Sequence, residues 1–184
     1  MEKHKDMINK RLFALSIVFF ALAIFTGIAA KMNPKPVAII LDTMLDGMEQ
    51  DDITEIEYNI ESVEIKNARA VQFNGWALVT ECNSADICTV FCVIGSDETK
   101  YAFESTKMQR TDVAEAFENT IYDMAGFTAV CDMIALPTDT YSVYLYMLRA
   151  NANKWIKRKM PYSIEFDGKT SILLNNPVID ENKY

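Results

Sequence analysis

The chain has 184 residues, half of them apolar, with a formal net charge of −8 and a single histidine. Lys3, Lys5, Lys10 and Arg11 outnumber Glu2 and Asp6 in residues 1–11, so the rest of the chain carries −10. That balance repels phosphate backbones and argues against nucleic-acid binding, and with His4 in the basic flank no Ser-His-Asp, Cys-His or histidine–zinc arrangement can form further along.

Residues 12–30, LFALSIVFFALAIFTGIAA, contain no charge. A helix rising about 1.5 Å per residue carries them close to the ~30 Å of a bilayer's hydrocarbon core. The run exceeds the roughly 7–15 apolar residues of a cleaved signal peptide, although Gly27, Ala29 and Ala30 are small enough for cleavage. An uncleaved transmembrane signal anchor is therefore expected. The basic flank keeps residues 1–11 cytoplasmic, which places the later residues outside a plasma membrane crossed once.

Pro34 and Pro36 stop that helix. In residues 31–55, Ile39, Ile40, Met44, Leu45 and Met48 recur at helical spacing among Asp42, Asp46, Glu49, Asp51 and Asp52, which predicts an acidic helical stalk. Glu49, Asp51, Asp52 and Glu55 lack the alternating ligands and glycine turn of a calcium loop, so a solvated charge run is the better reading.

From Ile56 the period becomes two. Ile56, Tyr58 and Ile60 share one face, and the phase slips near Ser62 before Val63 and Ile65, which predicts a bulge. Strands follow at ARAVQFNGWALV, ICTVFCVI, KYAFES, FTAVCDMIA, TYSVYLYML, WIKRK, YSIEF and SILL. Eight or nine strands at this spacing predict a mainly β domain over residues 56–184, an Ig-like β-sandwich. FDGK at 166–169 predicts a two-residue Asp-Gly hairpin turn.

RTDVAEAFENTIYDMAGF, residues 110–127, departs from that pattern. Asp112 suits an N-cap, Glu115 completes a capping box, and Val113, Phe117, Ile121 and Met124 form one stripe. A short helix closing one end of the sandwich is expected. After a glycine bulge at Gly75, Trp76 is expected in the core, the alternative being an exposed sugar-stacking platform. Arg110 and Asp112 are expected to tie the helix entry to the sheet.

Gly75-Trp76-Ala77, Arg110-Thr111-Asp112-Val113, Gly126-Phe127 and TYSVYLYML, taken in order, resemble a bacterial β-sandwich module of extracytoplasmic or glycosyltransferase-associated proteins. The likeness covers about residues 56–160. Thr111 stands where that pattern has proline, and Thr138-Asp139-Thr140 replaces a glycine before the aromatic. The resemblance implies a surface-polysaccharide setting and carries over no catalytic residue.

Cys82, Cys88, Cys92 and Cys131 include no C-x-x-C pair, so zinc-ribbon and thioredoxin-like sites lack their spacing. Cys82 and Cys88 flank NSADI and are the pair that one disulfide would close, while Cys92 and Cys131 read as small core residues. Glycoside hydrolysis needs two carboxylates roughly 5–10 Å apart, and nothing pairs any two of Glu64, Glu81, Asp86, Glu104 and Asp132.

The expected function is therefore non-catalytic, with no cofactor and no metal. A membrane-anchored module would bind cell-envelope polysaccharide through Tyr144, Tyr146 and Trp155, whose faces suit the apolar C–H surface of sugar rings. The alternative is an accessory subunit that packs onto a membrane protein of polysaccharide assembly. Lys154, Lys157, Arg158 and Lys159 read as a solvated basic turn beside Trp155.

Overall fold

The computed structural model describes residues 39–51 and 55–175. The expected membrane helix at 12–30 lies outside them. Among the described residues no helix is long and apolar enough to cross a membrane.

The protein is mainly β. Among the described residues ten strands form one sheet: β1 Ile39–Ile40, β2 Glu49–Gln50, β3 Ile56–Asn67, β4 Ala70–Val79, β5 Cys88–Ile94, β6 Lys100–Met108, β7 Gly126–Asp132, β8 Asp139–Arg149, β9 Lys154–Phe166 and β10 Ser171–Asn175. Two short helices accompany them, α1 Leu41–Met44 and α2 Thr111–Ala116. The strand order is β10-β9-β8-β5-β6-β7-β4-β3, with β1 added to β6 and β2 to β9.

The sheet curls at β6, whose Lys100–Glu104 half pairs with β5 while Ser105–Met108 pair with β7. The two halves face each other across one main core. Val71, Phe73, Phe91, Phe103, Phe127, Tyr141, Leu145 and Phe166 are all buried there. Phe73 stacks on Phe91 with centroids 4.9 Å apart. Alternation along each strand supplies that face, since successive side chains point to opposite sides.

The expected phase slip is a bulge at Glu61, between the pairs Ile60–Gly75 and Ser62–Asn74. The separate glycine bulge expected at Gly75 on β4 is absent, since β4 pairs with β7 without a register shift; the bulge here sits on β3, opposite Gly75, as the slip near Ser62 predicted. A side chain at position 75 would run into the Asn59 carbonyl oxygen, so the bulge requires glycine there. Trp76 consequently points away from the main core and is half-buried in a separate cluster with Leu78, Val113, Tyr122 and Ala125.

The helical segment also differs from expectation. It packs on the outer side of β4 over Trp76 and Leu78 and does not close an end of the fold. α2 begins after Arg110, not at Asp112, and stops at Phe117 because Glu118 takes a left-handed φ of 50°. Asn119 then caps a separate 3-10 turn, Thr120–Tyr122, accepting from the Ile121 N–H at 3.2 Å.

WIKRK and YSIEF are one strand, β9. Its register against β8 jumps from Tyr144–Lys159 to Ser142–Ser163, which leaves Met160, Pro161 and Tyr162 as a bulge. Proline has no N–H for a ladder, so a bulge is where a central strand accommodates it. β9 and β10 do pair, but through the four residues 167–170 instead of a two-residue turn. The Asp167 carboxylate accepts from the Lys169 and Thr170 N–H groups and widens the loop.

The described part of the acidic stalk is no stalk. Residues 39–51 run as a strap across the sheet: β1 pairs antiparallel with β6, α1 follows, and β2 pairs parallel with β9. Leu41, directly after β1, is fully buried.

Candidate functional site

β8 carries Tyr144, Tyr146 and Leu148 on the face turned away from the main core. The β8–β9 register sets Tyr146 against Lys157 and Leu148 against Trp155, so Trp155 and Lys157 share that face. Val90, Cys92 and Ala102 extend it across β5 and β6, and Leu41, Met44, Leu45 and Met48 of the strap pack onto it as a second core.

Polar contacts along its length fasten the strap. Lys100 Nζ lies 3.0 Å from Asp42 Oδ1. Asp51 Oδ2 lies 3.1 Å from Arg149 Nη1 and 3.7 Å from Lys154 Nζ. The Asp51 N–H donates to the Trp155 carbonyl at 2.8 Å. Asn153, in the left-handed region with φ 54°, donates through Nδ2 to the Gly47 carbonyl.

Between strap and sheet a depression of about 510 Å³ remains, lined by residues that include Leu45, Met48, Tyr144, Tyr146, Trp155, Lys100, Lys157 and Asp42. Its size falls in the roughly 300–1,000 Å³ range of small-ligand pockets. The three aromatic residues singled out from sequence thus meet in one place, though not as a flat exposed platform. Tyr146 is buried, and burial pushes its hydroxyl above the usual tyrosine range. Tyr144 and Trp155 are half-buried. The Tyr146 and Trp155 rings lie 5.5 Å apart at 32°, and Lys157 Nζ sits 6.0 Å from the Trp155 centroid.

The strap residues and Lys100 were not among the sequence candidates. Their one signal was the helical spacing of Met44, Leu45 and Met48, which reports an apolar stripe without saying what it covers.

Other candidates resolve into structure. Cys82 and Cys88, the pair considered for a bridge, are free thiols, as are Cys92 and Cys131. Burial raises the Cys92 thiol to about 12 and pushes Cys131 up as well. Burial also raises Cys88, with Glu104 adding to the shift. Asp132 accepts from the Ile134 N–H at 3.1 Å, a capping role. Among the described residues no group of three or more His, Cys, Asp and Glu side chains could hold a metal ion.

A smaller hollow of about 240 Å³ lies beside Cys88 and Lys107. The Lys107 ammonium is already engaged there, donating to the Ser84 and Ala85 carbonyls at 2.8 and 2.6 Å. Comparison with protein-family models, curated proteins and solved structures finds no match to the chain.

Proposed function

We propose that the chain is a non-catalytic extracytoplasmic module, anchored by its apolar segment 12–30, that binds a cell-envelope glycan at the depression beside the strap. The observation that carries this is the convergence of Tyr144, Tyr146 and Trp155 with Lys100, Lys157 and Asp42 on one hollow. A half-exposed indole supplies an apolar face for a sugar ring, and ammonium and carboxylate groups at the rim supply hydroxyl partners. In this reading the curled sheet is a variant of the Ig-like β-sandwich, supported by its two facing halves. A binding role also suits cysteine thiols held protonated by burial.

The test is calorimetric titration of residues 36–184, which retain the strap, with bacterial surface polysaccharides and their oligosaccharide repeats. Saturable heat, lost in Lys157→Ala and Trp155→Ala variants that keep the wild-type melting transition, is the expected result. No heat across the panel would sink the glycan reading and transfer weight to an accessory subunit acting through a membrane protein of polysaccharide assembly.

A further inference from the structure

The lysines around the strap divide into matched and unmatched. Lys100 lies 3.0 Å from Asp42, and Lys154 lies 3.7 Å from Asp51. Lys157 and Lys159 have no carboxylate within ion-pair distance among the described residues. Both are exposed, and the β8–β9 register sets Lys157 against Tyr146 and Lys159 against Tyr144. Directly opposed residues share a face of the sheet, so both ammonium groups rise from the aromatic side.

That placement runs against the charge of the chain, which carries −10 beyond residue 11. Among the described residues lining the hollow, Asp42 is the one carboxylate, and Lys100 already neutralises it. The surplus charge at the hollow is therefore positive. Lys157 Nζ stands 6.0 Å from the Trp155 centroid, at the outer limit of cation–π attraction, ~6 Å. The indole leaves the ammonium unsatisfied, with three protons free to donate to a bound group. The same separation accommodates a charged substituent projecting from a ring stacked on the indole, followed by a charge-assisted hydrogen bond of about 2.8 Å.

Resting on the glycan reading above, we infer that the hollow selects an acidic sugar. The ring lies against Trp155 and Tyr144, and its anionic substituent, a uronic-acid carboxylate or a phosphate ester, accepts from Lys157. Lys159, just beyond the rim, attracts the next charge along an acidic polymer. A neutral sugar would cover the Lys157 ammonium and offer only hydroxyls in place of water, whereas hydrogen bonds to an anion are roughly twice as strong as neutral ones. The Lys100–Asp42 pair remains for the hydroxyls, so charge is read at one point of the hollow and ring shape at the other.

Isothermal calorimetry of the full chain in non-ionic detergent micelles tests this with three sets of bacterial surface polysaccharides. They are uronate-bearing polymers, the same polymers after carboxyl reduction to neutral hexoses, and phosphodiester-bearing polymers. Saturable heat with either acidic set is expected, and the set that responds identifies the anion. The affinity should fall as salt rises from about 50 to about 300 mM. Carboxyl reduction of a uronate ligand, or Lys157→Gln, should weaken binding about tenfold, and Lys157→Arg should restore most of the loss. Lys157 is exposed, so the melting temperature should hold; Lys159→Gln reads the same surplus charge should Lys157→Gln lose its folding transition. Reduced polymers that bind as tightly as their parents, or an acidic ligand indifferent to both glutamine variants, would overturn the proposal and leave the glycan reading standing. Silence of all three sets would overturn both.

Discussion

Arg110 and Glu61 meet as two planar forks, Nη1 to Oε2 at 2.9 Å and Nη2 to Oε1 at 2.7 Å. The same guanidinium donates to Asp112 through Nε at 2.8 Å and Nη2 at 2.6 Å. One side chain thus clamps the bulge of β3 to the first turn of α2. Arg110→Lys keeps the charge but loses the fork, so it should forfeit most of the clamp, about 1–2 kcal/mol of unfolding free energy. Urea unfolding with Arg110→Ala as reference checks this, and a lysine variant as stable as wild type contradicts it.

The clamp carries a pH signature. Hydrogen bonds from Arg110 hold the Asp112 carboxyl at about 2, below its ordinary 3.8. A folded-state pKa below the unfolded one contributes stability above the unfolded value and loses it as pH falls through the folded one. The window is therefore about pH 4 down to 2. In Arg110→Met the acid-side slope of stability should flatten across it. Some slope will persist, because turn hydrogen bonds also lower Asp97, Asp139 and Asp167. Thermal melts at half-unit pH steps provide the comparison.

Gly126 opposes Trp76 in the β4–β7 ladder and lies beneath Arg110. A Cβ there would sit 2.6 Å from Arg110 Cγ and 2.7 Å from the Met108 carbonyl oxygen. The side chain can swing aside, but the backbone oxygen cannot. Gly126→Ala should therefore destabilise by about 1–3 kcal/mol and loosen the Arg110–Glu61 pair. Double-mutant cycles against Glu61→Gln should show coupling, and strictly additive effects would separate the two features.

Leu41 is the buried pivot of the strap. Leu41→Ala should cost about 2–4 kcal/mol and expose Trp155, raising acrylamide quenching in a Trp76→Phe background. Unchanged quenching would mean that the strap stays seated without it.

Thiol accessibility follows burial and charge. Brief iodoacetamide treatment of the native protein at pH 8 should label the exposed Cys88 and the half-buried Cys82 and spare Cys92 and Cys131. Labelling of all four under native conditions would mean that the cores open readily. Mass spectrometry of the digested product gives the count.

The period-two pattern made the strands legible, and even the bulge beside Ser62, because a side chain's face is a local property. Whether a glycine marks a bulge of its own or makes room for a partner strand's bulge is not local. A second bulge was expected at Gly75, where the glycine only makes room for β3, so Trp76 was assigned to the wrong face. Met160-Pro161-Tyr162 was likewise invisible as one interruption within a single strand, since only the partner β8 shows that the ladder resumes. The strap was the largest omission. Met44, Leu45 and Met48 announce an apolar stripe, yet only the β8–β9 register reveals an aromatic face for it to cover. Tyr144, Tyr146 and Trp155 were found as residues and missed as a half-roofed hollow.

β6 belongs to both halves of the curled sheet, Lys100–Glu104 to one and Ser105–Met108 to the other. On that side the two halves are therefore joined by a hinge line of continuous backbone. Loosening either half frays the shared strand and with it the neighbour's ladder. Amide protons on β5 and on β7, far apart in sequence and on opposite flanks of β6, are consequently bound to exchange with solvent through one common opening event.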